Sequence, residues 1–190
     1  RDTFCGLTFG PGARESEAVD VTVTDWDHDA FGASGRGLSG SCTDIRFIRC
    51  RAVDTPKCVK AWEIEEGAHR VTLEDCVVAN LGGTGTGYYV RHHEYQWPVL
   101  VHDVVFRRCR VRNIPGQGFL LTTVPGTGPR AIRPTVETRR VRLFDCTSDA
   151  PVTVACGIDD VVIERANFTN TVTIGFDAKA PNEDRDSRWP

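Results

Sequence analysis

One short phrase recurs along this chain: apolar, any, apolar, any, any, cysteine. It reads Ile45-Arg46-Phe47-Ile48-Arg49-Cys50, then Val71 to Cys76, Val104 to Cys109 and Val141 to Cys146. Two variants extend it, Val21 to Trp26 and Val161 to Ala166, with Trp and Ala in the cysteine slot. Four residues past that slot stands Asp54, Asn80, Asn113 or Asn170. A phrase repeated in this way describes one supersecondary unit stacked on copies of itself. The copies begin at residues 21, 45, 71, 104, 141 and 161, about one solenoid coil apart.

Within each copy the apolar residues alternate, which is the period of a strand and not of a helix. A second strand per coil is visible in Ala30–Ala33, Gly87–Val90, Gly118–Leu121, Pro151–Val154 and Thr173–Phe176. The Asn or Asp between the strands suits a tight bend, because its side chain bonds nearby backbone and tolerates left-handed geometry. The expected fold is all-β, a parallel β-solenoid of about six to seven coils. At about 4.8 Å between stacked strands, the rod is on the order of 30 Å long.

Phrases such as "VTLEDCVVAN" resemble the generic repeats of the right-handed parallel β-helix, or pectin-lyase-like, superfamily over residues 19–176. That resemblance implies a polysaccharide partner and an extracellular or cell-surface setting. In its sharpest form it implies polyuronide lyase or epimerase chemistry. Because folds host many functions, the chemistry has to come from a site. A second class stays open beside it, a non-catalytic assembly module of a fibre, sheath, tailspike or adhesin.

The organisation expected is an incomplete first coil over 1–18, the helix over 19–176 and a polar arm over 177–190. There is no Met, even at position 1, so the chain reads as part of something longer. An uncapped N-terminal coil would expose strand edges, which calls for a further domain or another copy of the chain there. The net charge of −3 with mixed signs leaves no nucleic-acid footprint, and no apolar run reaches membrane-spanning length.

Cys50, Cys76, Cys109 and Cys146 share one slot, so they are expected as an inward ladder of free thiols. Cys5, Cys42, Cys58 and Cys156 lie off it, and a Cys42–Cys58 bond stays open. No CxxC occurs, which argues against zinc bound through such a motif. The residue before each ladder position alternates in sign: Asp25, Arg49, Asp75, Arg108, Asp145, Arg165. Such a column is expected to pair across coils and fix their register.

Chemistry is expected on coil inserts, which vary without cost to the core. The first carries Arg91, His92, His93, Tyr95 and Trp97, and the second, Val124 to Glu137, carries Arg130 and Arg133. As a set they suit a polyuronide: Arg for the carboxylate, His or Tyr for the C5 proton, Trp for stacking on a sugar. A third cluster, Asp27-His28-Asp29, breaks the repeat and reads either as an acid/base or metal site or as a capping coil closed by Trp26 and His28. It is similar to "AHDN-x-x-DGF" coils of alginate epimerases, without their acid-proline-histidine-acid motif. No cofactor is called for, with a calcium ion the one metal left open. Lys57, Lys60 and Arg51 are further bases that the sequence does not place.

Overall fold

A computed structural model describes residues 5–35, 41–56, 60–93, 100–124, 138–155 and 158–176. The first coil is β1 (Cys5–Phe9), β2 (Arg14–Val19) and β3 (Thr22–Val23). The second is β4 (Asp29–Ser34), β5 (Thr43–Ile48) and β6 (Arg51–Thr55). The third is β7 (Lys60–Glu65), β8 (His69–Glu74) and β9 (Val77–Leu81). The fourth is β10 (Thr86–His93), β11 (Val101–Arg107) and β12 (Arg110–Arg112). The fifth is β13 (Phe119–Val124), β14 (Thr138–Phe144) and β15 (Thr147–Ser148). The sixth is β16 (Val152–Ala155), β17 (Ile158–Glu164) and β18 (Asn167–Phe168), and β19 (Val172–Phe176) opens another turn.

Equivalent strands of successive coils pair in parallel, giving a seven-stranded sheet A from β1 to β19 and six-stranded sheets B and C. The chain is a parallel β-helix, with a short third strand in each coil beyond the two expected. Among the described residues no helix is long and apolar enough to cross a membrane.

Inward residues stack in columns. Sheet A contributes rings: Phe31 lies on Trp62 at 4.4 Å and Tyr88 on Phe119 at 4.8 Å, with Trp62 and Tyr88 5.1 Å apart. Sheet B contributes Phe47, Leu73, Phe106 and Leu143, all fully buried. The ladder cysteines are buried free thiols, as expected. Each donates to a backbone carbonyl of the preceding coil, Cys50 to Ala18, Cys76 to Phe47 and Cys109 to Leu73 at 3.3–3.4 Å. Cys42 is also a free buried thiol, and Cys58, its candidate partner, lies outside the described residues.

The first copy of the phrase lies five residues earlier than its expected position. Ser16 pairs with Ile45 and Ala18 with Phe47, so the copy is Ser16 to Val21, and Val21, not Trp26, fills the cysteine slot. Val23, not His28, pairs with Ala52. Asp20 therefore replaces Asp25 in the charged column, and the alternation of signs survives. Asp25 instead adopts a left-handed bend (φ 52°), like Asp54, Asn80 and Asn113. That bend column is tied by Asn80 Nδ2 to Asp54 and Asn113 Nδ2 to Asn80, at 2.8 and 2.9 Å.

The charged column resolves into discrete pairs rather than a continuous ladder. Arg49 grips Asp20, Arg108 grips Asp75 and Arg165 grips Asp145, each through two nitrogens. A second column, unforeseen in the sequence, runs along the other edge of sheet B: Glu15, Asp44, Arg70, Asp103, Arg140, Asp160. There Arg70 grips Asp44 and Arg140 grips Asp103 at 2.5–2.7 Å. Every residue of both columns has positive φ. An arginine has little intrinsic taste for that backbone region, so the flanking ladders must impose it.

Candidate functional site

Five charged side chains are buried around the outward face of sheet A, where an exposed sheet surface would leave them in water. Their exposures are 6% for Asp29 and Lys60, 4% for Glu63, 5% for Glu65 and 9% for Arg91. Charged residues are almost never this buried unless paired. Their strands place them together: Asp29 is registered with Lys60 across β4 and β7, Glu63 with Tyr89 and Glu65 with Arg91 across β7 and β10.

Glu63 is the hub. Its Oε1 receives Lys60 Nζ at 2.8 Å and Arg91 Nη2 at 2.6 Å, while Arg91 Nη2 also lies 3.4 Å from Glu65 Oε2. Both cations rest against the ring of Tyr89, Lys60 Nζ at 5.6 Å and Arg91 Cζ at 5.0 Å from its centre. On the opposite flank His28 Nδ1 meets Asp29 Oδ2 at 2.6 Å. Burial pushes the Glu63 carboxyl up, but Arg91 and Lys60 outweigh it and hold the group down at about 2. Burial also pushes Asp29 up, and there the opposing pull of His28 and Lys60 does not suffice.

The backbone beneath is clamped. Trp26, almost fully buried, donates its indole N–H to Lys60 O at 2.8 Å, and Lys60 N donates to His28 O at 3.2 Å. Trp26 is thus the anchor that brings His28 and Asp29 beside β7.

Of the residues expected from sequence, His28, Asp29 and Arg91 come together here, and Asp27 is half-buried in the same turn. His28 is part-exposed and does not close the core. Arg91 is not the start of a loop: β10 continues to His93 because β7 and β13 flank Tyr88–Arg91, and β13 carries the pairing on to His93. For His92 and His93 only the strand is described, and Tyr95, Trp97, Arg130 and Arg133 lie outside the described residues. Lys60, Glu63, Glu65 and Tyr89 were missed as a group, and Arg51 sits exposed on β6.

Sheet B carries a rival feature, a shallow hollow of about 450 Å³ lined by Asp44, Arg46, Arg70, Thr72, Asp103 and Val105. Beside it the rings of His69 and His102 stack at 4.7 Å. Its Asp44–Arg70 and Asp103–Arg140 pairs, with His102 joined to Asp103 at 2.7 Å, are half-exposed, and exposed ion pairs contribute little. The sheet A cluster differs in being buried and in joining two cations to one carboxylate.

Comparison with known protein families, with curated proteins and with solved structures returns no match.

Proposed function

We propose that this chain is a carbohydrate-active β-helix of the pectin-lyase-like kind, acting on a polyuronide through the sheet A cluster. The observation that carries the reading is the convergence of Lys60 and Arg91 on one buried carboxylate and one phenol ring. Perturbed, buried ionisable groups with specific charge partners cluster at functional sites.

In this reading the ammonium and guanidinium face the carboxylate of a uronic acid and draw charge from its C5. Tyr89, as a phenolate beside the two cations, accepts the C5 proton, the step for which a positioned base supplies about 10²–10⁴-fold. In a lyase the C5 electron pair then forms the C4=C5 bond while the C4–O bond breaks, and the departing oxygen takes the proton from Tyr89. In an epimerase a proton returns to C5 from the other face. Glu63 holds the two cations at their spacing and does not touch the sugar.

The test is incubation of the chain with alginate and pectate. Ultraviolet absorbance reads the unsaturated product and proton NMR reads inversion at C5. Turnover that Tyr89→Phe reduces at least about 100-fold, with the melting midpoint kept, supports the assignment. Absence of turnover and of binding on every polyuronide, or full activity in Tyr89→Phe, overturns it.

One observation favours the assembly reading instead. Val172 and Ile174 hold inward register positions opposite Val152 and Val154, yet are 43% and 71% exposed. Filaments in light scattering and electron microscopy would support that reading.

A further inference from the structure

We propose that His28, Asp29 and Glu63 form a binding site for one divalent cation of the zinc class. The three residues offer an imidazole nitrogen and two carboxylate oxygens, all within 4.8 Å of one another. An ion holds its ligands at about 2.0–2.2 Å, so donor atoms this close need only small side-chain shifts to meet on one. The inference stands on this geometry and not on the choice of glycan above.

A second observation singles out the site. Asp29 Oδ1 is buried and has no hydrogen-bond partner, while Oδ2 of the same carboxylate is taken by His28. Lys60 Nζ stops 4.0 Å from Oδ1, close enough for attraction but not for a hydrogen bond. A bare carboxylate oxygen at that depth is costly, and a metal ion is one of the few partners that satisfies it. Glu63 commits Oε1 to both Lys60 and Arg91 and is also a hydrogen-bonding neighbour of Asp29, so the two carboxyls stand together at the site.

The donor set fixes the class of ion. Calcium and magnesium take oxygen ligands, whereas an imidazole beside two carboxylates suits zinc, cobalt or manganese. Three protein ligands leave a further position open, the arrangement of a catalytic rather than a structural centre. The charges allow it. Glu63, Glu65 and an ionised Asp29 exceed Lys60 and Arg91 by one negative charge, so a dication meets a net attraction.

The experiment uses the full chain stripped with a chelator, then titrated with Zn²⁺ and with Co²⁺. Calorimetry gives stoichiometry and affinity, and the visible absorption of Co²⁺ reports its ligand field. The expected result is one equivalent bound, with a raised melting midpoint. His28→Gln should weaken the site by more than the roughly 10–100-fold typical of an outer partner. Because His28 is part-exposed, that variant keeps the fold even where Asp29→Asn does not. Lys60→Met is the second probe. It removes the ammonium that competes for Glu63 and leaves affinity equal or tighter. No binding of either ion, binding indifferent to His28→Gln, or binding of Ca²⁺ in preference to both overturns the proposal.

Discussion

Replacing Glu63 by Gln tests whether the sheet A cluster is a buried charge system. The wild-type carboxylate is 4% exposed and its Oε1 accepts from two buried cations, at 2.8 and 2.6 Å. Glutamine keeps the shape and one acceptor oxygen but removes the charge, stranding Lys60 and Arg91. Glu65, 3.4 Å from Arg91, shields one of them in part. Breaking one side of a buried pair costs about 3–5 kcal/mol. For a chain of this length about 1 kcal/mol lowers the midpoint by 2–4 °C, so the expected fall is roughly 6–20 °C.

The assay is thermal unfolding by circular dichroism in chelator, so that no bound ion contributes. A triple replacement, Lys60→Met with Glu63→Leu and Arg91→Met, is the control. With no charge left stranded, it should recover most of the loss and can exceed the wild type, since well-packed apolar groups often replace a buried ionic cluster without penalty. A Glu63→Gln midpoint within about 2 °C of the wild type would mean the cations find water, and the argument from burial would fail.

Two further outcomes follow from the scaffold. Cys109→Ser should cost about 1 kcal/mol by denaturant titration, because the hydroxyl inherits the Leu73 carbonyl that the thiol now meets, while some sulfur volume is lost; a cost above about 3 kcal/mol would show the carbonyl out of reach. Acid should unfold the chain through the Asp–Arg columns. Arg70 holds Asp44 at about 2, and Arg140 holds Asp103 lower still, against an ordinary value of 3.8. Carboxyls depressed by folding stabilise above the ordinary value and lose that contribution as pH falls through the folded one. The midpoint should therefore drop between pH 3.8 and about 2, less steeply in high salt, and a flat profile to pH 2 would refute this.

The fold was legible because it is written many times. Ile45, Val71, Val104 and Val141 hold one inward column, and any single lapse is outvoted by the others. The first coil shows the limit. Val21-Thr22-Val23-Thr24-Asp25-Trp26 mimics the phrase, whereas the true copy carries Ser16 and Ala18 in its apolar slots. The bend rule already contained the correction: Asp54, Asn80 and Asn113 stand four past the cysteine slot, and so does Asp25 if that slot is Val21. The second charged column was equally readable, since Asp44, Arg70, Asp103, Arg140 and Asp160 each directly precede a copy.

The cluster was harder to see for a physical reason. Repetition reports what every coil must share, and a site is what one coil does differently. Strand β7, Lys60-Ala61-Trp62-Glu63-Ile64-Glu65, stands outside the repeated phrase, so the repeat gave no reason to single it out. Alternation alone says which way a side chain points. Whether water or protein waits there depends on what covers the sheet. In sheet A the outward row containing Glu63 runs Thr8, Gly32, Glu63, Tyr89, Leu120, Thr153, Thr173, with threonine the one side chain that recurs. The row that pairs Glu65 with Arg91 is bounded by Ser34 and Thr122, without repetition. In a solenoid the inward columns are constrained by their neighbours and so converge on similar residues. An outward position that is buried, charged and not repeated along its row answers to no such constraint, which is why Glu63 of β7 is the stronger pointer to chemistry than any of the arginines that alternate along sheet B.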